Sequence, residues 1–139
     1  MTVADLDRIE AELGLRLPSD YRELMLAYPQ FLRDAYYNSP VGSRASDALL
    51  FAGPQRVIDY NRGWRDDDFL LGEDDTEPRS DRYLIIGVDC GGNCWCVKLN
   101  GGDPTVWFFD HADGSLGPSV ASMHEHVEHL RQHLAEINQ

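Results

Sequence analysis

Three β-prone runs follow one another between residues 83 and 110, and the gaps between them are too short for anything but reversals. Tyr83 to Val88 is rich in β-formers. Cys94 to Leu99 alternates, with Trp95, Val97 and Leu99 facing one way and Cys94, Cys96 and Lys98 the other. Thr105 to Asp110 carries Val106, Trp107, Phe108 and Phe109. The first gap is Asp89-Cys90-Gly91-Gly92-Asn93 and the second Asn100-Gly101-Gly102-Asp103, both built from residues that tolerate positive φ. A parallel pairing needs a crossover of about a dozen residues or more, so the runs must pair antiparallel. The near-continuous apolar stretch in the third run predicts a strand buried on both faces.

Helices are expected at both ends. Thr2 is placed to cap a first helix, with Asp5 three residues on as a variant of the capping box. Leu6, Ile9 and Leu13 repeat on one face before Gly14 stops it. Pro18 and Ser19 open a second helix, Asp20 suits its positive end, and Pro29 closes it. Tyr21, Leu24, Met25 and Tyr28 supply its apolar stripe. Gln30 to Ser46 has no clean period and reads mostly as loop. Leu49 to Phe51 reads as a short buried strand, and Pro54 as the start of a brief helix through Val57, Ile58 and Tyr60. Val120, Met123, Val127, Leu130, Leu134 and Ile137 mark an amphipathic helix at the end. The expectation is an α+β fold: one domain over 1–139, with a largely antiparallel central sheet flanked by N- and C-terminal helices. No repeat or linker suggests a second domain.

Charge narrows the function. Twenty-four acidic residues stand against 12 basic ones, a formal net charge of -12. Such a surface repels phosphate polyanions, which argues against nucleic acid, and attracts a basic protein. Much of the charge lies in an acidic loop at about 66–81, where Asp66, Asp67, Asp68, Glu73, Asp74, Asp75, Glu77 and Asp81 face a single Arg79. A run of this kind self-repels and stays solvated. It either serves solubility or draws a cationic partner, with Trp64 and Phe69 beside it as aromatic anchors. No apolar run approaches the roughly 18 residues of a membrane span. Asp5, Asp7, Arg8 and Glu10 are the wrong chemistry for a signal peptide. Three clustered cysteines, Cys90, Cys94 and Cys96, do not make a disulfide framework, and together these features place the protein in the cytoplasm.

The chemistry-bearing groups have plainer readings. The cysteines offer thiolate spacings, with His111 as a fourth ligand, but Cys94 and Cys96 point to one strand face as small apolar fillers would. His126, His129 and His133 share a helical flank with Glu125, Glu128, Gln132 and Glu136, which reads as a solvated face. Asp110 and His111 are strand neighbours and point apart. Gly91-Gly92 and Gly101-Gly102 are turns without the flanks of a phosphate loop, and no nucleophile elbow is present. We expect no catalytic residues, no metal and no cofactor.

Several pieces together resemble a known family. Ile9-Glu10 with Leu13-Gly14, then Leu17-Pro18-Ser19-Asp20-Tyr21-Arg22, looks like the opening of the SUKH superfamily, the Smi/Knr-like group. Val57-Ile58 with Asn61, the strand Leu84-Ile85-Ile86-Gly87 and the turn Asp89-Cys90-Gly91-Gly92-Asn93 are similar to its middle. Asp110-His111 and the helix beginning Val120-Ala121-Ser122 are similar to its end. Departures are Tyr28-Pro29-Gln30, where the family often has a polar residue and Gly; Asn93, where an acidic residue commonly stands; and the long acidic insert. The resemblance implies a helix-flanked sheet and protein binding without catalysis. Many bacterial members are immunity proteins that neutralise a cognate toxin, often a nuclease. The fungal members are cell-wall assembly regulators, which makes an intracellular scaffold the alternative.

Overall fold

The computed structural model describes residues 1–38, 49–65, 82–89, 91–99 and 102–137. Among these, the elements are α1 (Val3–Leu13), α2 (Ser19–Leu26), α3 (Gln30–Asn38), α4 (Pro54–Arg65), β1 (Tyr83–Val88), β2 (Cys94–Lys98), β3 (Val106–Asp110), β4 (Ser115–Val120) and α5 (Met123–Ile137). The strands form one antiparallel meander in the order β1-β2-β3-β4. This is the expected α+β domain with helices at both ends, enlarged by a fourth strand.

The N-terminal helices form where the local chemistry asks for them. Thr2 Oγ1 accepts from Asp5 N–H at 3.1 Å and the Asp5 carboxylate accepts from Thr2 N–H at 2.9 Å, a complete capping box. Gly14 ends the helix at φ 66°, a left-handed conformation that costs glycine little. Glu10 then ties α1 to α2: its carboxylate accepts from Leu17 N–H at 2.8 Å and from the Arg22 guanidinium at 2.8 Å. Leu6, Ile9, Leu13, Tyr21 and Met25 are buried beneath them.

Registers set what each face carries. Cys94 lies opposite Phe109 and Trp95 opposite Phe108, so by pleat alternation Cys94 and Phe109 share one face and Trp95 and Phe108 the other. The open edge of β1 is closed by a side chain. Asn61, buried in α4, accepts from Ile85 N–H at 2.8 Å and donates to Ile85 C=O at 2.9 Å, imitating a neighbouring strand. Its amide also donates to Val57 C=O at 2.8 Å, which fixes it to its own helix.

Five expectations need correction. Residues 30–38 are helix rather than loop, with Leu32 buried and Phe31 packed beneath the Arg131 guanidinium at 4.1 Å; residues 39–46 lie outside the described ones. Leu49–Phe51 is buried but forms no strand: Leu49 is helical, Leu50 and Phe51 turn, and among the described residues Phe51 N–H donates to Ile86 C=O at 2.9 Å. The helix after Pro54 runs on to Arg65. In β3 only Val106 and Phe109 are buried; Trp107 is half-buried beneath the Lys98 ammonium, 4.7 Å away, and Phe108 is half-buried beside Trp95. Finally, Val120 ends β4 opposite Val106, and the last helix starts at Met123 with Ser122 Oγ accepting from Glu125 N–H at 3.2 Å. β4 escaped notice because Gly117 and Pro118 are poor strand formers, and Pro is tolerated on an edge strand.

Candidate functional site

Where α4 passes the Cys94/Phe109 face, the two do not close on each other. A pocket of about 420 Å³ opens between them. Asp59, Tyr60, Gly63 and Trp64 supply the helix wall, and Ile85, Val88, Cys94 and Phe109 the sheet wall, with Gly92 at the mouth. Trp64 is buried and stands edge-on to Phe109, ring centroids 5.4 Å apart at 87°. Its indole Nε1–H has no hydrogen-bond partner among the described residues. The Cys94 thiol is pushed up to about 12, first by burial and then by the Asp89 carboxylate, so it stays neutral and unreactive at physiological pH.

Beside Gly92, a network of side chains holds the β1–β2 turn. Asp89 Oδ1 accepts from Gly91 N–H at 2.8 Å and Asn93 N–H at 2.9 Å, and Asp89 Oδ2 from the Asn93 amide at 3.0 Å. Asn93 Oδ1 in turn accepts from His111 N–H at 3.0 Å and lies 2.7 Å from His111 Nδ1. An amide serves here because position 93 must donate to Asp89 and accept from His111 at once; a carboxylate could only accept. Gly92 is at φ 88°, and a Cβ there would meet the His111 ring at 3.4 Å. Asp110 is engaged elsewhere, accepting from Ala112 N–H at 2.9 Å, so Asp110 and His111 serve two different turns.

The histidine flank needs correction. His126 is fully buried rather than solvated, its ring 5.4 Å from that of Trp95, and neither ring nitrogen has a hydrogen-bond partner among the described residues. Burial, then the neighbouring His129, pushes its pKa down to about 3. His129 is exposed and His133 half-buried, both edge-on to the same indole at 6.3 and 6.4 Å. Among the described residues no three histidine, cysteine or acidic side chains converge as a metal site.

Of the residues singled out for partner binding, Asp66, Asp67, Asp68, Phe69, Glu73, Asp74 and Asp75 lie outside the described residues. Trp64 is within them, as a wall of the pocket rather than a projecting anchor. Sequence reasoning passed over Asp59, Tyr60 and Gly63; the available signal was a glycine inside a helical run, which asks for a reason.

The profile of the SMI1/KNR4 family (SUKH-1) matches residues 1–128. The chain belongs to that family. Neither a curated protein nor a solved structure matches it. The SMI1/KNR4 match takes in all four strands and every residue of the pocket, and it ends inside α5. No helix among the described residues is long and apolar enough to cross a membrane.

Proposed function

We propose that this SMI1/KNR4-family domain is a non-catalytic immunity protein that binds a basic toxin domain, such as a nuclease, in the cytoplasm and blocks it by occupation. Family membership over residues 1–128, joined to a net charge of -12, carries the reading. The pocket supports it: its wall is mostly apolar and its one thiol is neutral. That is the chemistry of recognition by burial. In this reading the acidic run of Asp66, Asp67, Asp68, Glu73, Asp74 and Asp75 steers the partner, since charge complementarity of this kind lifts association from about 10⁵–10⁶ to 10⁸–10⁹ M⁻¹s⁻¹.

The test is co-expression with the toxin encoded beside this gene. Growth should be rescued, and the two chains should copurify in a fixed ratio with the toxin covalently intact. A folded protein that neither rescues growth nor retains the toxin would end the proposal.

A further inference from the structure

Three features of the pocket stand out among the described residues. Gly63 sits inside α4, where glycine is the poorest helix former apart from proline, yet a Cβ at this position would meet nothing within 4 Å. Packing therefore does not demand a glycine; its effect is to leave the pocket wall bare. Trp64, the next residue, lines the same pocket and buries an indole N–H without a hydrogen-bond partner among the described residues. The space itself, about 420 Å³, falls in the range of true binding pockets and is walled by Ile85, Val88 and Phe109.

The rim indicates the charge of the visitor. Asp59 is exposed there, and its carboxylate accepts from the neutral Gln55 amide at 2.9 Å. Of the α4 arginines whose side chains are described, Arg62 lies 3.6 Å from Glu12 and Arg56 lies over the Phe51 ring. With 24 acidic against 12 basic residues overall, a cationic peptide is favoured at this mouth and an anionic one is not.

We infer that this pocket receives one aromatic side chain from a basic loop of the partner, with Gly63 keeping the space open. A ring in this space adds to the edge-on pair already made by Trp64 and Phe109. Buried aromatic anchors of this sort dominate protein interfaces. The inference rests on the partner-binding reading and gives it a location.

The test uses the whole chain and three probes: the peptides Ac-Arg-Phe-Arg-NH₂, Ac-Arg-Ala-Arg-NH₂ and Ac-Glu-Phe-Glu-NH₂. Binding is read from the indole N–H resonances of Trp64, Trp95 and Trp107, with Trp64 assigned by Trp64→Phe. The arginine–phenylalanine peptide should move the Trp64 signal and bind about tenfold more tightly than the alanine peptide, the gain for burying one such side chain. The acidic peptide should bind more weakly still. Gly63→Leu should fill the space and abolish the response while its Tm stays level or rises, since leucine favours helix. Equal binding of the alanine peptide, or an undiminished response in folded Gly63→Leu, overturns the inference; so does a response to free indole with none to any peptide. In the toxin assay, rescue by Gly63→Leu removes the pocket from immunity and leaves immunity standing. A failed rescue by the natural chain with intact peptide binding does the reverse.

Discussion

Acid should unfold this domain partly through one side chain. His126 is buried against Trp95 with its pKa pushed down to about 3, against 6.5 for a free imidazole. The folded value lies below the unfolded one, so between the two the unfolded chain binds a proton that the folded chain refuses. The stability this provides is complete above pH 6.5 and is lost as pH falls toward 3. From pH 7 to 5, protonation of the unfolded imidazole alone withdraws about 2 kcal/mol, at 1.36 kcal/mol per unit. That figure hardly depends on the folded value, because about 3 is far below 5. It is a large share of the roughly 5–15 kcal/mol by which a domain is stable. The comparison variant is His126→Phe, which keeps a ring against Trp95 and removes two nitrogens that lack partners among the described residues. Urea unfolding at pH 7, 6 and 5 should show the natural chain losing about 2 kcal/mol more than His126→Phe across that range. At pH 7 the variant should be equal or more stable, since an unpaired buried polar atom costs about 1–3 kcal/mol. The two proteins differ at this one ionisable side chain, so the difference reports on His126. Parallel losses in the two proteins would refute the burial argument.

Further outcomes are expected elsewhere. Asn61→Leu should cost about 3 kcal/mol in urea unfolding, because Ile85 N–H and C=O lose their buried partner together; a loss under ~0.5 kcal/mol would mean water replaces the amide without penalty. Replacing Asp66, Asp67, Asp68, Asp74 and Asp75 with the matching amides should slow association with the toxin at low salt far more than it speeds dissociation. Unchanged on-rates would assign that run to solubility. Cys94 should resist thiol reagents at pH 8 until the chain unfolds, since its thiol is neutral and buried. Purified protein should carry no stoichiometric zinc by native mass spectrometry, and one zinc per chain lost on Cys94→Ser would contradict this.

The first three strands of the antiparallel meander were legible from residues alone, because the gaps after Val88 and Leu99 are shorter than any crossover and their glycines permit tight reversal. So was α1, whose cap and stop are local chemistry between Thr2, Asp5 and Gly14. Charge, too, belongs to composition and needs no fold. What the sequence did not contain was any feature set by distant contact. The stripe of α5 reads with Val127 inward, yet the helix is turned so that His126 is buried and Val127 only half so; Trp95, from β2, occupies the space that decides this rotation. α3 buries Leu32 and packs Phe31 against Arg131, about a hundred residues away. The pocket is the clearest case. Gly63, Trp64, Cys94 and Phe109 come from three elements, and only the docking of α4 along the edge of β1 through Asn61 brings them to one wall. Local propensity is written in neighbouring residues. A cavity is the space left between elements, and that space exists only once they have packed.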